Sequence, residues 1–141
     1  MPILKEKDKE PITERLAKMD APVRIINFTQ DFECQFCRET RGLMEELAAL
    51  SDKLSIDVYD FQGDEDQVKK YNIDKIPATV IEGDRDHGIR FFGIPAGYEF
   101  ATVLEAVVGV STGRSGLSER TRERIGQIDR PLHLQVFVTP T

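Results

Sequence analysis

Residues 23–50 read VRIINFTQDFECQFCRETRGLMEELAAL, and this stretch decides how the chain folds. Its first seven residues, 23–29, are mostly apolar or β-branched and follow a proline, which predicts a buried strand. From about residue 35 the apolar side chains recur at steps of three and four, which predicts a helix that continues to about residue 50. The stretch therefore predicts a strand that leads directly into a helix.

Two cysteines, Cys34 and Cys37, lie at this predicted junction. One helical turn apart, their sulfurs can meet, so the pair can exist as a dithiol or as a disulfide. The first turn of a helix presents unpaired N–H groups and a partial positive charge, which lower the pKa of a thiol there. Asp31 and Glu33 oppose this because they bring negative charge nearby. We expect Cys34 to be the attacking thiolate, and Cys37 to be less exposed and to act second.

Composition bounds the class of protein. The chain has 141 residues, 40% hydrophobic and 31% charged, as in an ordinary one-domain globular protein. Its net charge is -6 without a basic block, which argues against nucleic acid and anionic membrane surfaces as partners. No apolar run approaches the roughly 20 residues of a membrane span, and residues 1–10 carry no signal-peptide-like segment. We expect a cytoplasmic protein, where a C-x-x-C is more often redox-active or metal-binding than structural.

The rest of the chain alternates strands with helices. A short amphipathic helix is predicted over residues 11–19, preceded by a frayed segment at residues 1–10. Further along, a strand, a polar helical segment, a β-hairpin and an apolar helix are predicted at residues 54–61, 63–71, 78–92 and 98–110. This order predicts an α/β fold with a mixed central sheet, helices on both faces and an extra N-terminal helix.

An Ile-Pro pair, Ile76-Pro77, opens the predicted hairpin. Together with the C-x-x-C at a strand–helix junction, it makes the chain resemble the thioredoxin fold, in its glutaredoxin-like branch, over roughly residues 21–110. The resemblance implies a cis bond before Pro77, a rare feature even for proline, lying against the active-site disulfide. It also implies that the backbone of Ile76 is offered to an extended substrate segment. We assign Ile76 and Pro77, with Gln35 and Phe36 between the cysteines, to substrate binding.

The end of the chain repeats the pattern of the first strand. Residues 131–139 read PLHLQVFVT and residues 22–29 read PVRIINFT, and their prolines and phenylalanines align. The chain resembles the first unit of the two-unit protein disulfide oxidoreductases, cut before a second C-x-x-C. A strand severed from its domain must pair with a neighbouring sheet edge or stay loose. We expect an N-terminal helical extension, a thioredoxin-like domain, a connecting helix capped by Ser118 and the truncated start of a second unit, at residues 1–20, 21–110, 111–130 and 131–141.

The predicted chemistry is thiol–disulfide exchange by a protein-disulfide oxidoreductase without a bound cofactor. Cys34 attacks a disulfide of a partner protein, and Cys37 resolves the mixed disulfide; run backwards, the same steps install disulfides. Gln35-Phe36 matches neither the Gly-Pro of thioredoxin nor the Pro-Tyr of glutaredoxin, so the preferred direction stays open. The resemblance implies electrons from a thioredoxin-reductase-like flavoenzyme or from glutathione, and the residues do not choose between them.

Other functions stay open from the sequence. One is a non-catalytic unit that supports a second redox site in a tandem protein. Another is a zinc or iron–sulfur domain, but a single C-x-x-C supplies only two ligands. His87 and His133 do not stand at ligand spacing, and we predict no metal site. A module that feeds a peroxide reductase system differs from the main prediction in its partner and not in its chemistry.

Overall fold

A computed structural model describes residues 2–139 and contains a mixed sheet of four strands. The strands are β1 (Val23–Thr29), β2 (Leu54–Asp60), β3 (Ala78–Glu82) and β4 (Asp86–Phe92), in the spatial order β2-β1-β3-β4. β1 is parallel to β2 and antiparallel to β3, and β3 is antiparallel to β4. This confirms the predicted mixed sheet that ends in a hairpin.

Helices cover both faces of the sheet. On one face, α1, α2 and α4 share an apolar core with Ile25 and Ile81. On the other face, Val68 of α3 packs with Phe28 and Val80. The helices of the described chain are α1 (Glu6–Leu16), α2 (Cys37–Ala48), α3 (Glu65–Lys70), α4 (Tyr98–Thr112) and α5 (Glu119–Gly126). The predicted architecture, with its extra helix at the amino terminus, is confirmed.

β1 is the centre of the fold because it is paired along both edges and covered on both faces. Ile25, Ile26 and Phe28 are completely buried although neighbouring side chains point to opposite faces. A strand buried in this way carries a continuous apolar run, which is what residues 23–29 provide. β1 thereby fixes the position of the cysteine segment that follows it.

The start of α1 differs from the prediction. The helix begins at Glu6 rather than at residue 11, and Pro11 lies inside it. Its first turn is acidic, which suits the positive end of the helix dipole. The N–H of Leu4 also donates to a Glu46 carboxylate oxygen at 2.7 Å, which ties the segment before the helix to α2. The prediction that residues 6–10 are frayed is therefore wrong.

The later elements follow the predictions with small shifts. β4 begins at Asp86 rather than at residue 89 because Asp86 pairs with Glu82 across the turn. The predicted N-cap of α5 is confirmed, since Ser118 Oγ accepts a hydrogen bond from the N–H of Thr121 at 3.2 Å. Among residues 2–139, no helix has both the length and the apolar character that crossing a bilayer requires.

The chain beyond α4 does not pack into the core. Every residue from 113 to 139 is exposed, and residues 131–139 belong to neither a helix nor a strand. Residues 140 and 141, the end of the predicted second unit, lie outside the described residues, as does residue 1 of the segment predicted to fray. The start of a second unit at residue 131 stays a prediction.

Candidate redox site

The two cysteines meet at the carboxyl end of β1. Their Sγ atoms are bonded to each other, and their Cα atoms lie 5.5 Å apart, a usual separation for a disulfide. Cys37 is the first residue of α2, whereas Cys34 lies in the connection before it, so the helix begins slightly later than predicted. The strand and helix therefore bring the two sulfurs together, as the sequence indicated.

The two cysteines differ in their exposure. Cys37 is 1% exposed, while Cys34 is partly exposed and Phe36 between them is 41% exposed. A partner molecule therefore reaches Cys34 first. The difference that we expected from the position of each cysteine along the helix is confirmed.

The amino end of α2 leaves its first turn open to an anion. Phe36 is the N-cap residue and provides no side-chain capping bond. Its carbonyl instead accepts from the Thr40 N–H at 3.0 Å and from Thr40 Oγ1 at 2.7 Å. Uncapped first-turn N–H groups can stabilise a thiolate beside them. Glu33, held at a positive φ of 50°, and Glu39 in the first turn weaken that stabilisation because both are anionic.

The Ile-Pro pair lies at the same end of the sheet as the cysteines. The Ile76-Pro77 bond is cis, and Ala78, the next residue, pairs with Phe28 near the carboxyl end of β1. The Pro77 carbonyl accepts from the Gly93 N–H at 2.9 Å, which holds it to the end of β4. Pro77 is buried and Ile76 partly exposed, so Ile76 is the member of the pair that a partner can touch.

A groove of about 1020 Å³ opens beside the cysteine segment. Phe36, Phe92 and Ile94 supply apolar lining, and Lys75 places its Nζ 4.3 Å from the centre of the Phe92 ring. Residues 132–138 line the groove from the other side. Of the four predicted substrate-binding residues, the groove includes Phe36, whereas Gln35, Ile76 and Pro77 lie outside its lining.

The sequence analysis missed a polar network at the opposite, amino end of β1. Arg24 donates to Asp57 of β2 at 2.8 Å, to Tyr71 Oη at 3.0 Å and to a carboxylate oxygen of Glu82 on β3. Tyr71 Oη also lies 3.1 Å from both carboxylate oxygens of Glu82. Burial, followed by the bond to Glu82, raises the pKa of Tyr71 to about 12. The facing positions of Arg24 and Glu82 in the hairpin register were the available signal.

A second missed feature is a pair of polar side chains inside the core. Asn27 and Thr79 face each other across β1 and β3, and both are completely buried. Asn27 Nδ2 donates to the Ala78 carbonyl at 3.2 Å. Asn27 Oδ1 and Thr79 Oγ1 find no hydrogen-bond partner among the described residues. Two polar residues within apolar strands were the only sequence signal for this pair.

The histidines do not complete a metal site with the cysteines. His87 Nε2 lies 3.2 Å from Asp84 Oδ1 in the hairpin turn. His133 belongs to the segment that lines the groove. Within residues 2–139, no three His, Cys, Asp or Glu side chains come together in a way that could hold a metal ion.

Comparison with known proteins places the chain among redox proteins. No family model matches the sequence. The chain is 27% identical over 129 residues to the alkyl hydroperoxide reductase component AhpF of Xanthomonas campestris pv. phaseoli, which covers 92% of this chain and 22% of that protein. It is 25% identical over 105 residues to an NADH dehydrogenase of Bacillus subtilis, covering 74% of this chain and 18% of that protein. The chain thus spans about a fifth of the length of these relatives.

Solved structures agree with the fold. A protein disulfide oxidoreductase from Aeropyrum pernix k1 matches with a TM-score of 0.78 and 27% identity, covering 87% of this chain and 54% of that one. A domain of the alkyl hydroperoxide reductase AhpF from Enterococcus faecalis also gives 0.78, at 22% identity, covering 86% and 59%. The chain spans little more than half of either structure. It is a thioredoxin-like protein with a C-x-x-C pair, similar over most of its length to these two kinds of redox protein.

Proposed function

We propose that the chain is a thiol–disulfide oxidoreductase that acts on protein disulfides through Cys34 and Cys37. The observation that carries this proposal is the bonded pair at the start of α2, with one sulfur reachable and the other buried. A purely structural disulfide has no need for this asymmetry, whereas a two-step exchange does.

The reaction begins with both cysteines reduced. The Cys34 thiolate attacks one sulfur of a partner disulfide, so that a mixed disulfide forms and the partner's other sulfur leaves as a thiolate. The Cys37 thiolate then attacks Cys34 Sγ, which breaks the mixed bond and closes the Cys34–Cys37 disulfide. Two electrons pass to the partner, whose two sulfurs take up the protons that the cysteines lose.

Substrate contact is assigned to four residues around the pair. Gln35 and Phe36 are exposed between the cysteines, and Phe36 extends this surface into the groove. Ile76 offers its backbone to an extended segment of the partner, and Pro77 holds that backbone at the redox end of the sheet. The substrate in this proposal is a disulfide in an extended segment of a protein.

The proposal includes the source of electrons and the division of the chain. Similarity to the alkyl hydroperoxide reductase component AhpF and to an NADH dehydrogenase favours a thioredoxin-reductase-like flavoenzyme over glutathione as the donor. The redox domain spans residues 21–110, between the extension at residues 1–20 and the connecting helix at 111–130. Residues 131–141 have the pattern of a strand that begins a second unit. The setting in this proposal is cytoplasmic.

Trapping of the intermediate tests the proposed function. The reduced Cys37→Ser variant lacks the resolving thiol, so it should accumulate a mixed disulfide when it is mixed with a protein that carries an accessible disulfide. Mass spectrometry should then show an adduct on Cys34 that dithiothreitol releases. The matched Cys34→Ser variant should form no adduct at equal concentration and time.

The opposite result favours the non-catalytic alternative. If Cys37→Ser forms no adduct and the reduced wild-type chain does not reduce the substrate, the proposed exchange is wrong. Redox titration of the wild-type pair then completes the description, because its potential decides whether the chain mainly reduces or installs disulfides.

A further inference from the structure

The C-terminal strip, residues 131–138, is an extended apolar segment that has no sheet to join. It reads PLHLQVFV, without one charged side chain in a chain that is 31% charged. Leu134, Val136 and Phe137 are 86%, 84% and 89% exposed. In the described part of the chain, residues 131–138 make no hydrogen bond. Contiguous exposed apolar surface of this kind marks a contact site.

The strip has the pattern of a strand. Leu132, Leu134 and Val136 alternate with His133 and Gln135, so an extended conformation gives it one wholly apolar side. The same stretch repeats the pattern of β1, which is paired along both edges. A segment with these properties is built for a sheet and not for solvent.

β4 provides a matching acceptor. Among the described strands it pairs with β3 alone, so its outer edge carries backbone N–H and C=O groups that a further strand can bind. None of its residues is buried. Neither a proline nor a lysine protects this edge, which spans Asp86–Phe92.

The groove separates these two elements. Residues 88–92 of β4 line one side and residues 132–138 of the strip line the other, around a space of about 1020 Å³. The strip lies alongside its own β4 without pairing to it. The groove therefore has two strand-like walls with room between them.

We propose that a second copy of this chain fills the groove by a reciprocal exchange of C-terminal strips. The strip of each protomer enters the groove of the other protomer and pairs with β4 there. The resulting order is β4 and strip of alternating protomers, with the two strips side by side at the centre. The two four-stranded sheets become one continuous sheet.

A second copy fits better than an unrelated partner because one chain carries both the donor strand and the acceptor edge. The exchange is closed by two-fold symmetry, so it produces a dimer and not an open fibre. The central strips carry no charge, so bringing two copies of them together creates no repulsion between like charges. Main-chain pairing of this type is a common mode of strand addition.

The test uses the full 141-residue chain in sedimentation velocity over a range of concentrations. We expect a dimer with twice the 16.0 kDa mass of the chain. Val136→Asp places a charge on the apolar side of the strip and should weaken dimerisation at least about tenfold. Val136→Thr is the matched control, since threonine keeps the branched shape that suits a strand, and it should leave most of the dimer intact.

Hydrogen exchange supplies a second measurement. The amides of residues 132–138 and of β4 should become protected as the dimer forms, and should lose that protection in Val136→Asp. A wild-type chain that stays monomeric at every concentration overturns the proposal. So does a dimer that Val136→Asp leaves unchanged, because such a dimer uses another surface, and so does an open series of larger oligomers.

Discussion

The two ends of β1 treat polar chemistry in opposite ways. At the carboxyl end, the chain leaves the sheet and presents Cys34 at the start of a helix, where a partner can reach it. At the amino end, Arg24 is held by Asp57, Glu82 and Tyr71, which come from the strands beside β1 and from the residue that ends α3.

This contrast separates reactivity from stability. A nucleophile must stay accessible, so the redox end keeps one sulfur exposed and its helix without a side-chain cap. A buried polar network stabilises a fold only when each member has its partners, and the Arg24 end meets that condition. Substitutions at the two ends should therefore affect different properties.

The largest effect is expected at the redox end. Cys34→Ser replaces the attacking thiolate by a hydroxyl that stays protonated, so reduction of a protein disulfide should fall at least about 1,000-fold. The urea midpoint of the variant should match that of the reduced wild-type chain. Turnover near the wild-type rate would show that Cys34 is not the nucleophile, and the contrast between the two ends would fail.

The network at the other end should show the converse. Glu82→Ala removes a carboxylate whose side chain is only 13% exposed, and leaves Arg24 and Tyr71 without it. We expect a loss of about 2–3 kcal/mol in the free energy of unfolding, with activity per folded molecule unchanged. Asp57→Ala is the control, since that carboxylate is 40% exposed and should cost at most about 1 kcal/mol. Equal losses would contradict the importance of burial here.

Tyr71→Phe sharpens the same comparison with a smaller change. Loss of the hydroxyl removes the bonds to Arg24 and Glu82 and should cost about 1–2 kcal/mol at pH 7. Because folding raises the pKa of Tyr71 to about 12, its stabilising effect is complete below about pH 10 and is lost as the pH rises through 12. Urea unfolding between pH 9 and 12 should show this loss in wild type and not in Tyr71→Phe. Parallel curves would contradict it.

The hairpin that follows the network should respond to acid. Arg90 donates to both carboxylate oxygens of Asp86, and this lowers the pKa of Asp86 to about 2. The contribution is present above the unfolded pKa of about 3.9 and disappears as the pH falls toward 2. Asp86→Asn should therefore cost about 1 kcal/mol at pH 7, allowing for solvent screening, and almost nothing at pH 2. A cost that does not change with pH would contradict this explanation.

The smallest effect is expected between the two ends. Thr79→Val keeps the shape of a completely buried side chain and removes a hydroxyl that has no partner among the described residues. The free energy of unfolding should rise by up to about 1 kcal/mol. Thr79→Ala, which opens a cavity instead, should lower it. Destabilisation by valine would mean that the hydroxyl is bonded in solution.

Local patterns predicted most of the elements. The apolar run at residues 23–29 gave β1 its place because a strand that is buried on both faces cannot alternate with polar residues. The cysteine spacing indicated a disulfide, and the difference in exposure between Cys34 and Cys37 followed from their positions near the helix. The start of α1 was missed because Pro11 reads as a boundary, whereas the contact of Leu4 with Glu46 is not visible in local sequence.

The sequence alone determined the order of strands and helices and the meeting of the two sulfurs, since both depend on neighbours within a few turns of chain. Only the tertiary structure decided that Arg24 faces Asp57, Glu82 and Tyr71, and that residues 132–138 lie across a groove from β4. Those contacts join residues far apart in the chain, and strand register and packing, which no local pattern encodes, bring them together.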